Sequence, residues 1–391
     1  MKASKLTLRF SLIFALAAAF SLASVSSIVL AGGFGPGHKE SKSMAPVSSY
    51  MAAGIQTAHE FAFDRAKLMK NLDRNLTLIN GAMISSGSLG FPLKLIVFPE
   101  LTIHGAPYAD PKEYWKKDLL VTIPGPETDK FVELAKKYNI YICPGSWLEK
   151  DPAYPNHIFN TAFIVGPEGV ILRYRKIYNW EIGEYMYTSP HRIKGYDFKK
   201  DPAFPVVKTP IGTLGVAICY DFIFPEVTRE LTMQGAEVLI RASAYMNPWG
   251  TDLPLNWWTT ISQVRSLENV AYGVHVNLGG TQKEAFPYSF SGGSCIVDYE
   301  GRIVSQINRD GEQIIIGPIY LDALREWRAN SYEHVMPAQL RSEVHTYLSE
   351  SWHPGGVLKK DEHATLESSM KAIDEGRKKV WGDIIEKYKR K

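Results

Sequence analysis

Apolar positions along this chain follow two alternating rhythms. Residues 59–84 place Phe61, Ala66, Met69, Leu72, Leu76 and Ile79 at helical spacings with charges between them, which predicts an amphipathic helix. The run 93–98 is short, continuous and apolar, which predicts a buried strand ending at Pro99-Glu100. The same alternation continues with a helix over 129–138, a strand over 140–143, and a hairpin of 159–165 with 170–174 about Gly166-Pro167-Glu168-Gly169. A strand pair follows at 205–208 and 213–219, then a helix at 224–234, a strand at 237–241, a helix at 255–268 and a strand at 270–277. A second hairpin, 294–298 with 302–307, turns at Glu300-Gly301, and 314–321 reads as the last strand. Helices interleaved with short apolar strands predict an α/β fold whose sheets are covered on both faces. The hairpins predict mixed rather than purely parallel sheets.

The two ends of the chain break this pattern. Lys2, Lys5 and Arg9 precede an apolar run over 10–30 that closes on Val29-Leu30-Ala31, the layout of a secretory signal peptide over 1–31. Ala23 is a second candidate cleavage position, and an uncleaved anchor is the alternative, because the run is long enough to span a bilayer. Export, to a periplasm or outside the cell, is the expectation. Residues 32–49 are rich in Gly, Ser, Pro and Lys and read as a loose linker, and 50–330 forms the main domain. The tail 331–391 is charged, with Met370, Ile373, Val380, Ile384 and Ile385 at helical spacings, and reads as a largely helical arm.

Composition narrows the possible functions only slightly. With 45% hydrophobic and 22% charged residues in 391, the chain is ordinary globular material. A formal net charge of +3 gives no basis for a nucleic-acid partner. The 3 Cys are an odd number, so at least one thiol stays free or pairs with another chain. Cys143 and Cys295 sit within apolar strands, where Cys behaves as a small hydrophobe. Cys219 instead closes a strand just before a predicted helix, an arrangement akin to a nucleophile elbow. A nearby helix N-terminus would favour its thiolate.

Taken singly, Cys219, Lys176 and Glu100 each have an ordinary explanation: a buried thiol, a solvated ammonium and a surface acid. In combination they are specific. Phe98-Pro99-Glu100, then Arg173-Tyr174-Arg175-Lys176, then Gly215-Val216-Ala217-Ile218-Cys219-Tyr220-Asp221 with Pro225-Glu226 downstream resemble the nitrilase superfamily over about residues 50–321. The aliphatic amidase and formamidase branch is the most similar, through Val121-Thr122-Ile123-Pro124-Gly125, Asn160-Thr161-Ala162, Trp180, Glu184 and the run 235–241 with Tyr245-Met246.

That resemblance implies a four-layer α-β-β-α sandwich and a catalytic Glu100, Lys176 and Cys219, with Glu184 as the branch's second glutamate. Each residue type suits amide hydrolysis. A thiolate attacks the amide carbon once a base has taken its proton. Glu100 is that base, and Lys176 with the Tyr220 N–H steadies the oxyanion. Glu184 would hold the amide and the hydrolytic water, and Trp180 would wall the pocket. No metal or organic cofactor is implied. Small amides are the expected substrates, members of the superfamily assemble as homo-oligomers, and the membrane would be met only through the leader.

Leu101 and Tyr220 depart from the branch at the expected pocket, where it carries an aromatic and an Asp. Tyr220-Asp221 also departs from the Trp-Glu that follows the cysteine of nitrilases, which disfavours a nitrile. Arg241 could pair a carboxylate of the protein or of a substrate. A carbamoyl or vitamin-type amide is the alternative substrate. A papain-like protease would need a Cys–His pair whose local signature is absent. A non-catalytic binding module is at odds with the presence of all three catalytic residue types.

Overall fold

The computed structural model describes residues 39–40, 46–58, 60–88, 90, 92–105, 108–247, 255–282, 288–308 and 310–382; the leader expected over 1–31 lies outside these residues. Two seven-stranded sheets stack face to face. The first contains β2 (Ser49–Gln56), β3 (Leu93–Val97), β4 (Tyr141–Cys143), β5 (Ser146–Lys150), β6 (Ile158–Gly166), β7 (Gly169–Arg175) and β16 (Gln313–Tyr320). Its β2, β3 and β4 are parallel, whereas β16, β5, β6 and β7 join in antiparallel pairings. The second contains β1 (Lys39–Glu40), β8 (Val206–Thr209), β9 (Gly212–Ile218), β10 (Val238–Ser243), β11 (Tyr272–Asn277), β14 (Cys295–Val297) and β15 (Ile303–Gln306). At its centre β9, β10 and β11 run parallel. A short ribbon of β12 (Gly279–Gln282) and β13 (Tyr288–Ser291) stands apart.

Side-chain alternation along the strands builds the layers. On β2, Tyr50 and Ala52 enter the core between the sheets, while Met51, Ala53 and Ile55 turn to the opposite face. That opposite face packs against α1 (Arg65–Gly87) and α3 (Pro126–Tyr138), through Leu68, Leu72, Ile79, Phe131 and Ala135. The far face of the second sheet takes α4 (Pro225–Met233) and α5 (Trp257–Asn269), through Val227, Leu231 and Trp258. The four-layer α-β-β-α sandwich is therefore the observed fold. Gly54 leaves room between the sheets: a Cβ there would sit 3.0 Å from Val276 Cγ2 of the second sheet and 3.1 Å from Ile315 Cγ1 of the neighbouring strand.

Three sequence expectations are corrected. Residues 32–49 were expected to be a loose linker, yet their C-terminal end is packed, with Val47 N–H donating to Pro210 O at 3.0 Å and its side chain against the inner core. The strand expected to run to Leu321 ends at Tyr320, and α6 (Leu321–Asn330) begins at once, burying Leu321 and Leu324 in the inner core. The arm is only partly helical. Among its described residues, 331–365 contain short 3-10 turns and α7 (Leu366–Trp381) is the regular helix; α2 (Pro111–Lys116) is a minor helix of the main domain. Its spacing of Met370 and Ile373 supports the helix, but no such period runs through 331–365.

The arm is anchored across residues 191–194. Gly356 N–H donates to His191 O, Leu358 N–H to Arg192 O and Lys194 N–H to Leu358 O, each at 2.7–2.8 Å. Arg192 reaches Glu181 at 3.2 Å and Ser369 at 3.1 Å.

Candidate active site

Strand alternation sorts the basic cluster of β7. Arg173 and Arg175 turn to one side and meet Glu149 of β5. Arg175 grips that carboxylate with Nε at 2.8 Å and Nη2 at 2.7 Å, and Arg173 Nη1 adds a contact at 2.9 Å. Tyr174 turns the other way, into the inner core. Lys176 follows one residue past the strand, and its N–H donates to Asn160 O of β6 at 2.9 Å. A bidentate, buried Arg–carboxylate pair thus fixes the strand end that aims the lysine.

The Lys176 side chain is 1% exposed and lies between two carboxylates. Its Nζ donates to Glu100 Oε1 at 2.8 Å and to Glu184 Oε1 and Oε2 at 2.7 and 2.8 Å. Burial alone would lower the ammonium pKa, but Glu100 and Glu184 hold it well above the ordinary lysine value. Glu100, also 1% exposed, is held on every side. Asn160 Nδ2 donates to Oε1 at 2.8 Å and the Ala244 N–H, just past β10, donates to Oε2 at 2.9 Å. The glutamate from one sheet is therefore completed by a main-chain group from the other. Gly145 makes room beneath it: at φ +84° a Cβ would lie 1.9 Å from Pro99 O. Glu184 is oriented by the Trp180 N–H at 2.6 Å. Burial pushes its carboxyl up to about 7; Lys176 opposes this and Glu100 adds to it.

Cys219 sits at the end of β9 with φ +48°, a left-handed conformation that costs a non-glycine residue about 1–3 kcal/mol. Asp221 stabilises the turn: its Oδ2 accepts from Ile218 N–H at 2.8 Å and its Oδ1 from Tyr178 N–H at 2.9 Å. The Tyr174 hydroxyl is a further partner of this fully buried carboxylate, whose pKa burial raises to about 6. Asp221 therefore ties the cysteine turn to the segment following Lys176. A 3-10 turn, Cys219–Ile223, intervenes before α4 begins at Pro225. The expectation that a helix N-terminus would favour thiolate is corrected. Burial and then the Glu100 charge push the thiol far above its ordinary range, while Lys176 pulls it back. Burial thus holds this thiol toward its protonated form.

The other expected residues are placed as follows. Trp180 and Tyr220 border a cavity of about 780 Å³ that also meets Phe224 and, from the arm, Tyr347 and Trp352. Leu101 has φ +52°, its N–H bonds Ser146 Oγ at 3.1 Å, and its side chain packs in the outer core rather than along that cavity. Arg241 is fully buried behind Cys219, with Nη2 on the Cys219 carbonyl at 3.3 Å, and pairs with no carboxylate among the described residues. Sequence reasoning did not foresee the roles of Asn160, Asp221 or the Ala244 N–H. Asn160 and Asp221 did lie inside matched motifs, but only the folded cross-strand geometry shows what they hold. No cluster of three or more His, Cys, Asp or Glu able to hold a metal occurs among the described residues.

Comparison with known proteins gives the family. The family described as carbon-nitrogen hydrolase matches residues 51–329. This chain belongs to the carbon–nitrogen hydrolase family, within the nitrilase superfamily. It is 32% identical over 346 residues to a formamidase of Bacillus cereus (strain Q1), covering 87% of this chain and 92% of that one. Among solved structures, a carbon-nitrogen hydrolase from Helicobacter pylori G27 superposes with a TM-score of 0.62 at 21% identity, covering 78% of this chain and 99% of that one. An amidase of the nitrilase superfamily from Nesterenkonia AN1 gives a TM-score of 0.56 at 19% identity, over 78% and 99%. This carbon–nitrogen hydrolase is accordingly an enzyme acting on non-peptide C–N bonds.

Two outcomes are expected of the hydrolase. Asp221→Asn leaves one of the two N–H donors facing an amide NH2, so it should lower stability by about 1–3 kcal/mol and reduce kcat; unchanged melting and turnover would contradict the tie. Burial pushes the Glu184 carboxyl up to about 7, and Lys176, Glu100, Tyr187 and Tyr220 face it, so it is expected to gain a proton as the pH falls through that range. Protonation removes one of the two carboxylates on Lys176, so kcat should fall about tenfold per pH unit below that midpoint. Glu184→Gln should lower kcat and flatten this acid limb, as a pH–rate profile will show.

Proposed function

We propose that this chain hydrolyses small amides through a thioester on Cys219. The observation that carries the reading is the buried Lys176 ammonium bridging Glu100 and Glu184 beside the left-handed Cys219 turn. Glu100 takes the S–H proton as sulfur attacks the amide carbon. The carbonyl oxygen becomes an oxyanion, met by Lys176 and the Tyr220 N–H; removing one such donor typically costs about 3–4 kcal/mol of barrier stabilisation. Collapse breaks the C–N bond, Glu100 returns its proton to the departing nitrogen, and ammonia or an amine leaves. Water then gives a proton to Glu100 and attacks the thioester. The C–S bond breaks, the sulfur regains its proton, and a carboxylic acid is released. Glu184, fixed by Lys176 and the Trp180 N–H, holds the amide nitrogen and then the water.

The similarity to formamidases supports a short acyl group. In a mutant of an amidase from Nesterenkonia sp. AN1 the acetamide moiety of fluoroacetamide is added to the active-site cysteine, an alkylation that supports a reactive cysteine in a pocket sized for a small amide. Export is part of the proposal, on the strength of the basic leader and apolar run before Ala31.

The test is intact-mass spectrometry during turnover of formamide, acetamide and fluoroacetamide, alongside an ammonia assay. An acyl adduct on Cys219 is expected, and Cys219→Ala should abolish both adduct and ammonia release while remaining folded. Ammonia release by the folded alanine variant refutes the mechanism. The same spectra of exported protein should show a chain beginning at Gly32; a retained Met1 would exclude cleavage.

A further inference from the structure

Three residues before the Ala244 N–H that holds Glu100, β10 carries Arg241, which lies opposite Ala217 of β9 and His275 of β11. Its guanidinium is 0% exposed. Nη2 donates to the Cys219 carbonyl at 3.3 Å, while Nε and Nη1 have no acceptor among the described residues. Three rings enclose it, Trp258 at 4.4 Å, Phe222 at 5.2 Å and Tyr245 at 5.3 Å from the guanidinium carbon. His275 beside it also has both ring nitrogens unpartnered, and burial together with Arg241 keeps that imidazole neutral.

A buried cation normally has a counterion, as Arg175 has Glu149. Aromatic faces recover only part of its lost hydration. Keeping an uncompensated charge one peptide group behind the proposed nucleophile makes physical sense if the matching negative charge forms during the reaction. The site's own balance points the same way. Transfer of the Cys219 proton to Glu100 leaves the site's total charge unchanged but moves one negative charge from the carboxylate onto sulfur, in the residue whose carbonyl Arg241 holds.

We infer that Arg241 is a positioning residue that holds the left-handed Cys219 turn through its carbonyl and offsets the negative charge developing at sulfur. The inference rests on the reading of Cys219 as nucleophile. The groups acting on that sulfur are Glu100, Lys176, Glu184 and Arg241, with the phenols Tyr187, Tyr220 and Tyr245 near it. Burial and Glu100 disfavour the thiolate; Lys176 and Arg241 favour it.

The experiment compares full-length wild type, Arg241→Gln and Arg241→Lys. It measures the pH dependence of iodoacetamide alkylation at Cys219, located by peptide mass spectrometry, together with kcat, KM and melting temperature. A nearby opposite charge shifts a titrating group by about 1–3 pH units. The glutamine variant should therefore be alkylated about tenfold more slowly at a given pH, with its profile moved to higher pH. Its kcat should fall by a similar factor or more, with a smaller change in KM. Lysine keeps the charge without the fork, so its profile should move less than glutamine's while kcat still drops. A soluble variant with the wild-type alkylation profile overturns the inference, whatever its melting temperature. If only the lysine variant is soluble, its profile and kcat decide in the same way; if neither is, Arg241 is a core scaffold residue and the inference falls. Alkylation of wild-type Cys219 that leaves activity intact refutes the nucleophile reading itself, independently of the Arg241 result.

Discussion

The site is organised around one ammonium buried between two carboxylates. Lys176 can remain charged at 1% exposure only because Glu100 and Glu184 both lie within 2.8 Å of its Nζ. Those carboxylates in turn stay apart from one another because the lysine lies between them. Much of the surrounding structure maintains this arrangement. The Arg175–Glu149 pair fixes the end of β7, Asn160 and the Ala244 N–H hold Glu100, and the Trp180 N–H holds Glu184. Removing any one of them would let a charge turn toward a worse partner in a region with little water to screen it.

The inner core explains why a four-layer architecture suits this chemistry. Both sheets present the ends of parallel strands at the same place: β3 leads to Glu100, β9 to Cys219 and β10 to Ala244. Side chains far apart in the chain are brought together by rigid strands rather than by flexible loops. Strand ends free the backbone from its ladder, so Leu101 and Cys219 can adopt left-handed conformations next to Glu100 and Lys176. The family relationship to formamidases and other carbon–nitrogen hydrolases is consistent with this placement.

Much of this was legible in the sequence, for identifiable reasons. Buried parallel strands read as short continuous apolar runs, so β3, β4, β9, β10 and β11 stood out, and glycine-bearing turns marked the hairpins β6–β7 and β14–β15. Glu100, Lys176 and Cys219 were visible because each lies just beyond a strand inside a motif that resembles the nitrilase superfamily; singly, each had an ordinary explanation. The strand β5 was not, because its buried Glu149 breaks the apolar run and is explained only by Arg173 and Arg175 across the sheet. The helix α6 was hidden because it starts at Leu321 with no break after the last strand, and its Arg325 and Arg328 bond Glu237 and main-chain carbonyls. Arg241 looked like a partner for a carboxylate, but three aromatic rings from separate parts of the chain enclose it instead. Such groupings depend on the completed fold and leave no local spacing to read.

The strap formed by the arm across residues 191–194 has a consequence for the order in which the enzyme comes into being. A ribosome delivers Glu100, Lys176 and Cys219 long before Leu358 and Ser369, which bond Arg192, the partner of Glu181 in the segment that also carries Trp180 and Glu184. A nascent chain therefore carries Cys219 and Glu100 well before this brace reaches the loop bearing Glu184. The arm thus braces, from far along the chain, the segment that carries Glu181 and Glu184.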